Sequence, residues 1–304
     1  MKIGYMVGEG TGAAPDVAAL VELGQRIEAA GLDTAWIAEI FLDAATAAAA
    51  LGMVTERIEI GTGVIPTPMR HPYALAHQAA TAQQACGGRF TLGIGLSHKM
   101  MVENVLGLSY DRPLLKMREY LEVLNPMLRG EAVDHAGELY TARFGPMELG
   151  TPVSVLVAAL GPQMLRLAGR LSGGTVTWAA GLKTLESHIV PTICRAAEEA
   201  GRAAPRIVAG LPVVVTSDLD AAREKAVAIF GHYRTLPSYR AMMDREGVDG
   251  IEDLIVAGDE ASVRAQLARI EATGTTDLCV FPYGVDDGSV ERTIDLLGDV
   301  AGGS

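Results

Sequence analysis

The sequence predicts an α/β fold, a (β/α)8 TIM barrel with insertions after strands four and seven, as a single domain over residues 1–304. Three observations point there. Short apolar runs alternate with helix-forming segments eight times along the chain. The run Val153–Leu160 is apolar at every position but Ser154, as befits a parallel strand covered on both faces. The chain of 304 residues also exceeds a typical barrel of ~250 residues, and two irregular stretches account for the excess.

Lys2–Val7 reads as the first strand and Gly8–Gly12 (GEGTG) as the loop behind it. A glycine-rich loop there invites a dinucleotide-binding reading. That pattern fails, because Ala13 stands at the third glycine position before Ala14-Pro15, and no acidic residue closes a second strand in the right context. Asp16 is a good N-cap for a helix over Val17–Ala30, which Gly31 ends. Strand two covers Asp33–Glu39, with its helix from about Leu42 to Val54. Strand three, Ile58–Ile65, stops before Pro66 and Pro68, which cannot donate to a sheet ladder. Pro72 suits a first helical position, Ala74–Cys86 are good helix formers, and Gly87-Gly88 supplies the stop. Phe90–Leu96 is strand four.

A looser region, Lys99–Tyr110, leads to a helix over Pro113–Leu128. Ala132–Arg143 alternates around His135-Ala136-Gly137, as a hairpin or excursion outside the main repeat. Strand five, Val153–Leu160, is followed by a helix that Gly161-Pro162 opens and Gly173-Gly174 closes. Strands six to eight are Thr175–Ala179, Arg206–Thr216 and Thr276–Pro282, backed by helices Leu182–Ala200, Asp218–Gly231 and Val290–Val300. His232–Gly250 breaks the rhythm as an insertion or lid, and Asp259–Ala272 is a further helix. A doubly wound open sheet is the structural alternative, but eight evenly spaced buried strands favour closure.

The chain carries 37 acidic against 25 basic residues, a net charge of −12, which argues against nucleic-acid or anionic-membrane partners. An anionic ligand must then be met by local cations, helix N-termini and backbone amides. Cys86, Cys194 and Cys279 lack metal-ligand spacing and read as reduced thiols in a cytoplasmic protein. Met1 leads into a strand without a signal-peptide pattern, and the longest apolar run, Ala44–Val54, is about half a membrane span. The six histidines also lack ligand spacing, and neither HExxH nor a nucleophile triad pattern is present, so no metal is expected.

In a barrel of this kind the site forms where strands end at their C-termini. Those positions are Val7-Gly8, Glu39-Ile40, Gly63-Val64-Ile65, Leu96-Ser97-His98, Leu160-Gly161-Pro162, Trp178-Ala179-Ala180 and Pro282-Tyr283. Gly161 followed by Pro162 leaves the N–H groups of Gln163 and Met164 facing solvent with a helix dipole behind them. This is either an anion site or an ordinary strand–helix junction. His98 and Glu39 are the ionisable side chains expected to face the pocket as catalytic groups. His98 is the better proton donor because an imidazole titrates near ~6.5. Glu39 would hold His98 or the substrate, or donate if burial raises its pKa. The plainer alternative makes His98 a solvent-facing loop residue. Arg70-His71 reads as a brace for the loop after strand three in preference to a catalytic pair. Trp178 either lines a ligand site or fills the barrel top.

Gly61-Thr62-Gly63-Val64, then Arg70-His71-Pro72, then Gly88-Arg89 with Leu92-Gly93-Ile94-Gly95 occur in one order between Arg57 and His98. This succession resembles the luciferase-like flavin and deazaflavin oxidoreductases, and the similarity runs on through Ile255–Asp259 to Thr276–Pro282. The resemblance implies coenzyme F420, a deazaflavin, as cofactor, with FMN as the alternative. It places a non-proline cis peptide at Gly63–Val64, so that Gly63, Val64 and Ile65 back the middle ring and a Cβ at Gly63 would crowd the ring face. It likens Val157–Gln163 to the family's phosphate loop, giving Ala159, Gly161, Pro162, Gln163 and Met164 the phosphate, with Trp178, Ala179 and Ala180 lining the site. Many relatives have a histidine at or beside Glu39-Ile40. Its absence here departs from that pattern and puts sugar-phosphate dehydrogenation in doubt. The implied activity is a reductase transferring hydride from the reduced deazaflavin to an activated C=C or C=N bond of a small organic or natural-product substrate. The alternatives are an FMN-dependent monooxygenase and, from another class, a non-catalytic cofactor-binding barrel. The family further implies a homodimer, with the alanine-rich stretches Ala44–Ala50 and Ala74–Ala85 at the interface.

Overall fold

The computed structural model describes residues 1–8, 16–148 and 150–303. Of the GEGTG loop only Gly8 is therefore included, and Ala13-Ala14-Pro15 also lie outside the described residues. The strands are β1 (Lys2–Val7), β2 (Thr34–Ile37), β3 (Glu59–Thr62), β4 (Ile65–Pro66), β5 (Phe90–Gly95), β6 (Val133–Ala136), β7 (Thr141–Phe144), β8 (Ser154–Ala158), β9 (Gly174–Trp178), β10 (Arg206–Val215), β11 (Val256–Gly258) and β12 (Asp277–Pro282). The helices are α1 (Val17–Ala29), α2 (Ala44–Gly52), α3 (Pro72–Ala85), α4 (Pro113–Leu128), α5 (Pro162–Leu171), α6 (Leu182–Thr184), α7 (Val190–Glu199), α8 (Leu219–Phe230), α9 (Pro237–Glu246), α10 (Glu260–Ala272) and α11 (Ser289–Gly302).

Strands β1, β2, β3, β5, β8, β9, β10 and β12 pair in parallel, and β10 closes the ring by pairing with both β9 and β12. The eight-stranded barrel and both excursions are thus as the sequence predicts. After β5 the chain runs through a π-helical turn (Met101–Val105), α4 and the antiparallel hairpin β6–β7. After β10 it adds a 3-10 turn (Gly231–Thr235), α9 and β11, which extends the sheet against the far half of β10.

Glycines in the sequence motifs are explained by close approaches inside this barrel. Trp36 on β2 is fully buried between Gly4 of β1 and Gly61 of β3, and any Cβ at either glycine would strike the indole. Thr62 Oγ1 donates to the Gly93 carbonyl and accepts from the Gly93 N–H, both at 2.8 Å, while a Cβ at Gly93 would collide with the Thr62 carbonyl. Arg89 braces the approach to β3, donating to the carbonyls of Ile58 (2.6 Å), Thr55 (2.7 Å) and Gly52 (3.1 Å).

Some boundaries differ from expectation. The single strand Ile58–Ile65 is divided into β3 and β4, separated by Gly63-Val64. Strand two ends at Ile37, so Glu39 sits two residues beyond the ladder. Gly174 does not close α5 but opens β9 at φ 154°, because a side chain there would meet the Arg206 backbone of β10. The helix Leu182–Ala200 is broken into α6, a π-helical turn (Leu185–Ile189) and α7. Among the described residues, no helix is long and apolar enough to cross a membrane.

Candidate active site

Among the described residues, the C-terminal rim of the barrel carries two non-glycine residues in the left-handed region: Ser97 (φ 59°) just past β5 and Ala179 (φ 53°) directly after β9. Such backbone costs about 1–3 kcal/mol and persists only where neighbours impose it. The Ala179 N–H donates to the Gly210 carbonyl at 3.1 Å, and the Tyr110 hydroxyl donates to the Ser97 carbonyl at 3.3 Å. Ala179 and Ala180 are both buried. The peptide Gly63–Val64 is cis, where the family resemblance puts it. A Cβ built on Gly63 points into the barrel, 3.4 Å from Met6 Cε and 3.8 Å from Trp36 Cε3. That is ordinary van der Waals contact with core side chains. Ile65 is buried and Val64 packs against the cluster around Met6 and Trp36.

The structure gives His98 and Glu39 different neighbours. Glu39 lies against Arg70 Nη1 at 2.5 Å and accepts the Ala44 N–H at 3.2 Å, while Arg70 Nη2 reaches Asp43 at 2.6 Å. Burial raises the Glu39 pKa, and Arg70 pulls against that rise. His71 Nδ1 accepts the Tyr73 N–H at 3.2 Å and so caps α3. Arg70 and His71 therefore brace the loops after β2 and β4. His98 instead sits half-buried with its ring centroid 5.7 Å from that of Tyr239 on α9. Burial depresses its pKa, and the neighbouring His232 pushes the same way, so the imidazole is mainly neutral at neutral pH.

The excursion after β10 forms the roof over this part of the rim. Tyr233 stacks edge-on to Tyr239 (4.8 Å) and to Trp178 (5.8 Å), and Trp178 also meets Phe230 (5.4 Å) and Phe281 (5.1 Å). The α9 end is fastened down by Glu246, whose carboxylate accepts the N–H groups of Lys183 (3.0 Å) and Thr184 (2.8 Å) and the Thr184 hydroxyl. Beneath this roof the Trp178 Nε1 and the Tyr283 hydroxyl are buried without a hydrogen-bond partner.

Beyond β8 the chain passes buried Ala159 and half-buried Leu160 to Gly161, the N-cap of α5, and no side chain caps this helix. Gly161, Pro162 and Gln163 are exposed and Met164 is half-buried. By contrast Asp16, Asp43, His71, Asp218 and Asp259 close the N-termini of α1, α2, α3, α8 and α10. Helices α4, α7 and α9 share with α5 a first turn without side-chain cap or acid, and α11 lacks a cap but carries Glu291 there, so what sets α5 apart is its start at exposed Gly161 just after β8. The α5 turn can thus offer backbone amides and a positive dipole end to an anion. Behind it, His188 Nε2 donates to the Leu160 carbonyl at 2.8 Å.

Sequence reasoning passed over Tyr233, Tyr239 and His188. The first two were legible as aromatic residues in an otherwise polar, irregular stretch, whereas nothing in the sequence signals that His188 folds back on Leu160. Among the described residues, no cluster of His, Cys, Asp and Glu has the arrangement to hold a metal ion.

Comparison with known proteins agrees with this architecture. The chain is 28% identical to 5,10-methylenetetrahydromethanopterin reductase of Methanolobus tindarius, over 89% of this chain and 84% of that one. It is 26% identical to a putative coenzyme F420-dependent oxidoreductase of Mycobacterium tuberculosis, over 97% and 98% of the two chains. The fold superposes on the coenzyme F420-dependent tetrahydromethanopterin reductase of Methanopyrus kandleri with a TM-score of 0.82 at 21% identity, covering 98% of this chain and 97% of that one. Residues 1–277 match the luciferase-like monooxygenase family model, and the chain belongs to that family.

Proposed function

We propose that this protein is a coenzyme F420-dependent oxidoreductase, working as a reductase on an activated C=C or C=N bond of a small organic or natural-product substrate. The observation that carries the reading is the uncapped, acid-free first turn of α5 at the rim. In a chain of net charge −12, an anionic cofactor needs such a local donor set. The names of the relatives, a coenzyme F420-dependent oxidoreductase and a methylenetetrahydromethanopterin reductase, support the same reading.

The residues present fit the cofactor. The amides of Gln163 and Met164 would hold its phosphate, with Ala159, Gly161 and Pro162 shaping the turn. Gly63, Val64 and Ile65 would back the ring, and Trp178, Ala179 and Ala180 would line the site. The unpaired Trp178 Nε1 and Tyr283 hydroxyl are buried donors at this rim, and leaving such groups without a partner is costly. Bound there, the reduced deazaflavin would supply the hydride. The chain's own part is to orient the substrate, exclude water beneath Tyr233 and Tyr239, and deliver a proton. Hydride addition to C=C or C=N leaves an anionic second atom, and His98 is the donor placed under the roof. Its depressed pKa makes the acidic form scarce at neutral pH, so donation weakens as pH rises. Glu39, held by Arg70, orders the rim instead of donating.

The protein is further expected to work as a homodimer through α2 and α3. Incubating it with reduced F420 and a panel of activated enones and imines tests the activity. Oxidation of the cofactor coupled to reduction of one of them supports it, and turnover only with FMN, a reductase and oxygen would overturn it.

A further inference from the structure

The Leu160 carbonyl lies two residues past the end of β8, beyond the paired positions of its ladder with β9. Its partner is His188 Nε2 at 2.8 Å. His188 is 5% exposed and sits in the π-helical turn between α6 and α7, a segment that packs on α5. The next residue, Gly161, has no side chain, and nothing lies within 4 Å of where its Cβ would be. The turn that presents the α5 amides is therefore open on its solvent side and gripped from behind at Leu160.

We propose that His188 is a positioning residue for the anion-binding turn: by holding the Leu160 carbonyl it fixes the Leu160–Gly161 peptide, and so sets affinity for the phosphate end of the cofactor and not for its ring. This rests on the reading above that the α5 N-terminus receives the phosphate. Two physical effects act together. The bond orients the peptide plane from which the helix starts, and accepting a hydrogen bond at a carbonyl polarises the N–H of the same peptide, here that of Gly161. Burial and the nearby Arg245 favour the neutral ring, with the Leu160 bond pulling the other way, and in that ring the carbonyl selects the tautomer that carries the proton on Nε2. The same segment is tied to the roof, since α6 receives Glu246 of α9.

The test is equilibrium binding to the unliganded protein, compared between F420 and the same deazaflavin lacking its phosphate. His188→Phe keeps the bulk and removes the donor. F420 affinity should fall about tenfold, the scale of one hydrogen bond, while affinity for the phosphate-free ring stays within about twofold. His188→Gln, which reaches as far and carries an N–H, should recover most of the loss, and His188→Asn, one carbon shorter, should not. If His188→Phe does not fold, the Gln and Asn variants make the comparison by themselves. Equal losses for both ligands, or no loss for F420, would overturn the proposal and leave His188 as packing. Should the wild-type protein take FMN in place of F420, the cofactor reading fails but FMN against riboflavin poses the same question. Wild-type protein that binds neither pair would overturn both.

Discussion

The two ends of this barrel are built on different principles. At the N-terminal end Arg206 reaches Asp277 through Nε (2.9 Å) and Nη2 (2.5 Å), and Glu59 through Nη2 (3.1 Å) and Nη1. Thr91 Oγ1 donates to Glu59 at 2.6 Å and Lys2 adds a contact at 3.3 Å. The guanidinium also stands 5.6 Å from the Trp36 ring. Burial pushes the Glu59 carboxyl upward, but these partners outweigh it and hold its pKa below the usual carboxylate range. At the C-terminal end Arg70, Glu39 and Asp43 are paired as well, but around β5, β9 and β12 the pattern differs. His98 is driven toward its neutral form, Trp178 Nε1 and Tyr283 carry buried unpaired polar atoms, and Ser97 and Ala179 hold left-handed backbone. A satisfied ion-pair group is costly to break, whereas the unpaired polar atoms at the rim, like Thr34 Oγ1 and Trp36 Nε1 deeper in the barrel, leave hydrogen-bonding capacity unused.

Substitutions at the two ends should therefore separate stability from activity. The largest expected effect is at the rim: His98→Ala should lower turnover by roughly 10²–10⁴-fold, the scale for a lost general acid, with cofactor affinity nearly unchanged. Turnover within a few-fold of wild type would assign the proton to solvent or another group. At the opposite end, Arg206→Met leaves buried Asp277 without a cation and half-buried Glu59 with Lys2 alone. It should destabilise the fold by about 3–5 kcal/mol, read as a shifted urea midpoint, while the remaining folded protein binds cofactor normally. Selective loss of binding there would break the division between the two ends.

Smaller effects sharpen the same comparison. Because the His98 pKa lies below its ordinary ~6.5, turnover should fall as pH rises through that depressed value, and His98→Ala should lose this limb of the profile. A flat profile from pH 5 to 8 would remove His98 as the donor. Gly63→Ala places a methyl against Met6 and should cost about 1 kcal/mol, with cofactor binding weakened several-fold. Light scattering at micromolar concentration should give twice the 31.9 kDa chain mass, and the monomer mass would contradict the dimer.

How much of this was legible in the sequence depended on whether the cause was local. Parallel strands announce themselves by apolar runs, and caps such as Asp16 and Asp259 by residue type and spacing, so the barrel could be read. The motif glycines Gly61 and Gly93 were recognisable too, but their reason is a distant one: Gly61, together with Gly4, yields space to Trp36, and Gly93 to Thr62. Glu39 and His98 both follow strand ends, which suggests a meeting, yet it is Arg70, 31 positions from Glu39, that reaches it. The roof of Tyr233 and Tyr239 and the His188–Leu160 bond join segments distant in sequence, and no period or motif reports such contacts. Interior and local turns are written in the sequence; the rim is written in its meetings.

The central claim, that the rim receives a deazaflavin through the α5 turn, is tested most directly by titrating the purified protein with F420 and FMN in parallel and following binding by fluorescence. Saturable F420 binding, weakened by competing inorganic phosphate and clearly tighter than that of FMN, is the predicted result. Tight FMN binding with no measurable F420 binding would contradict it.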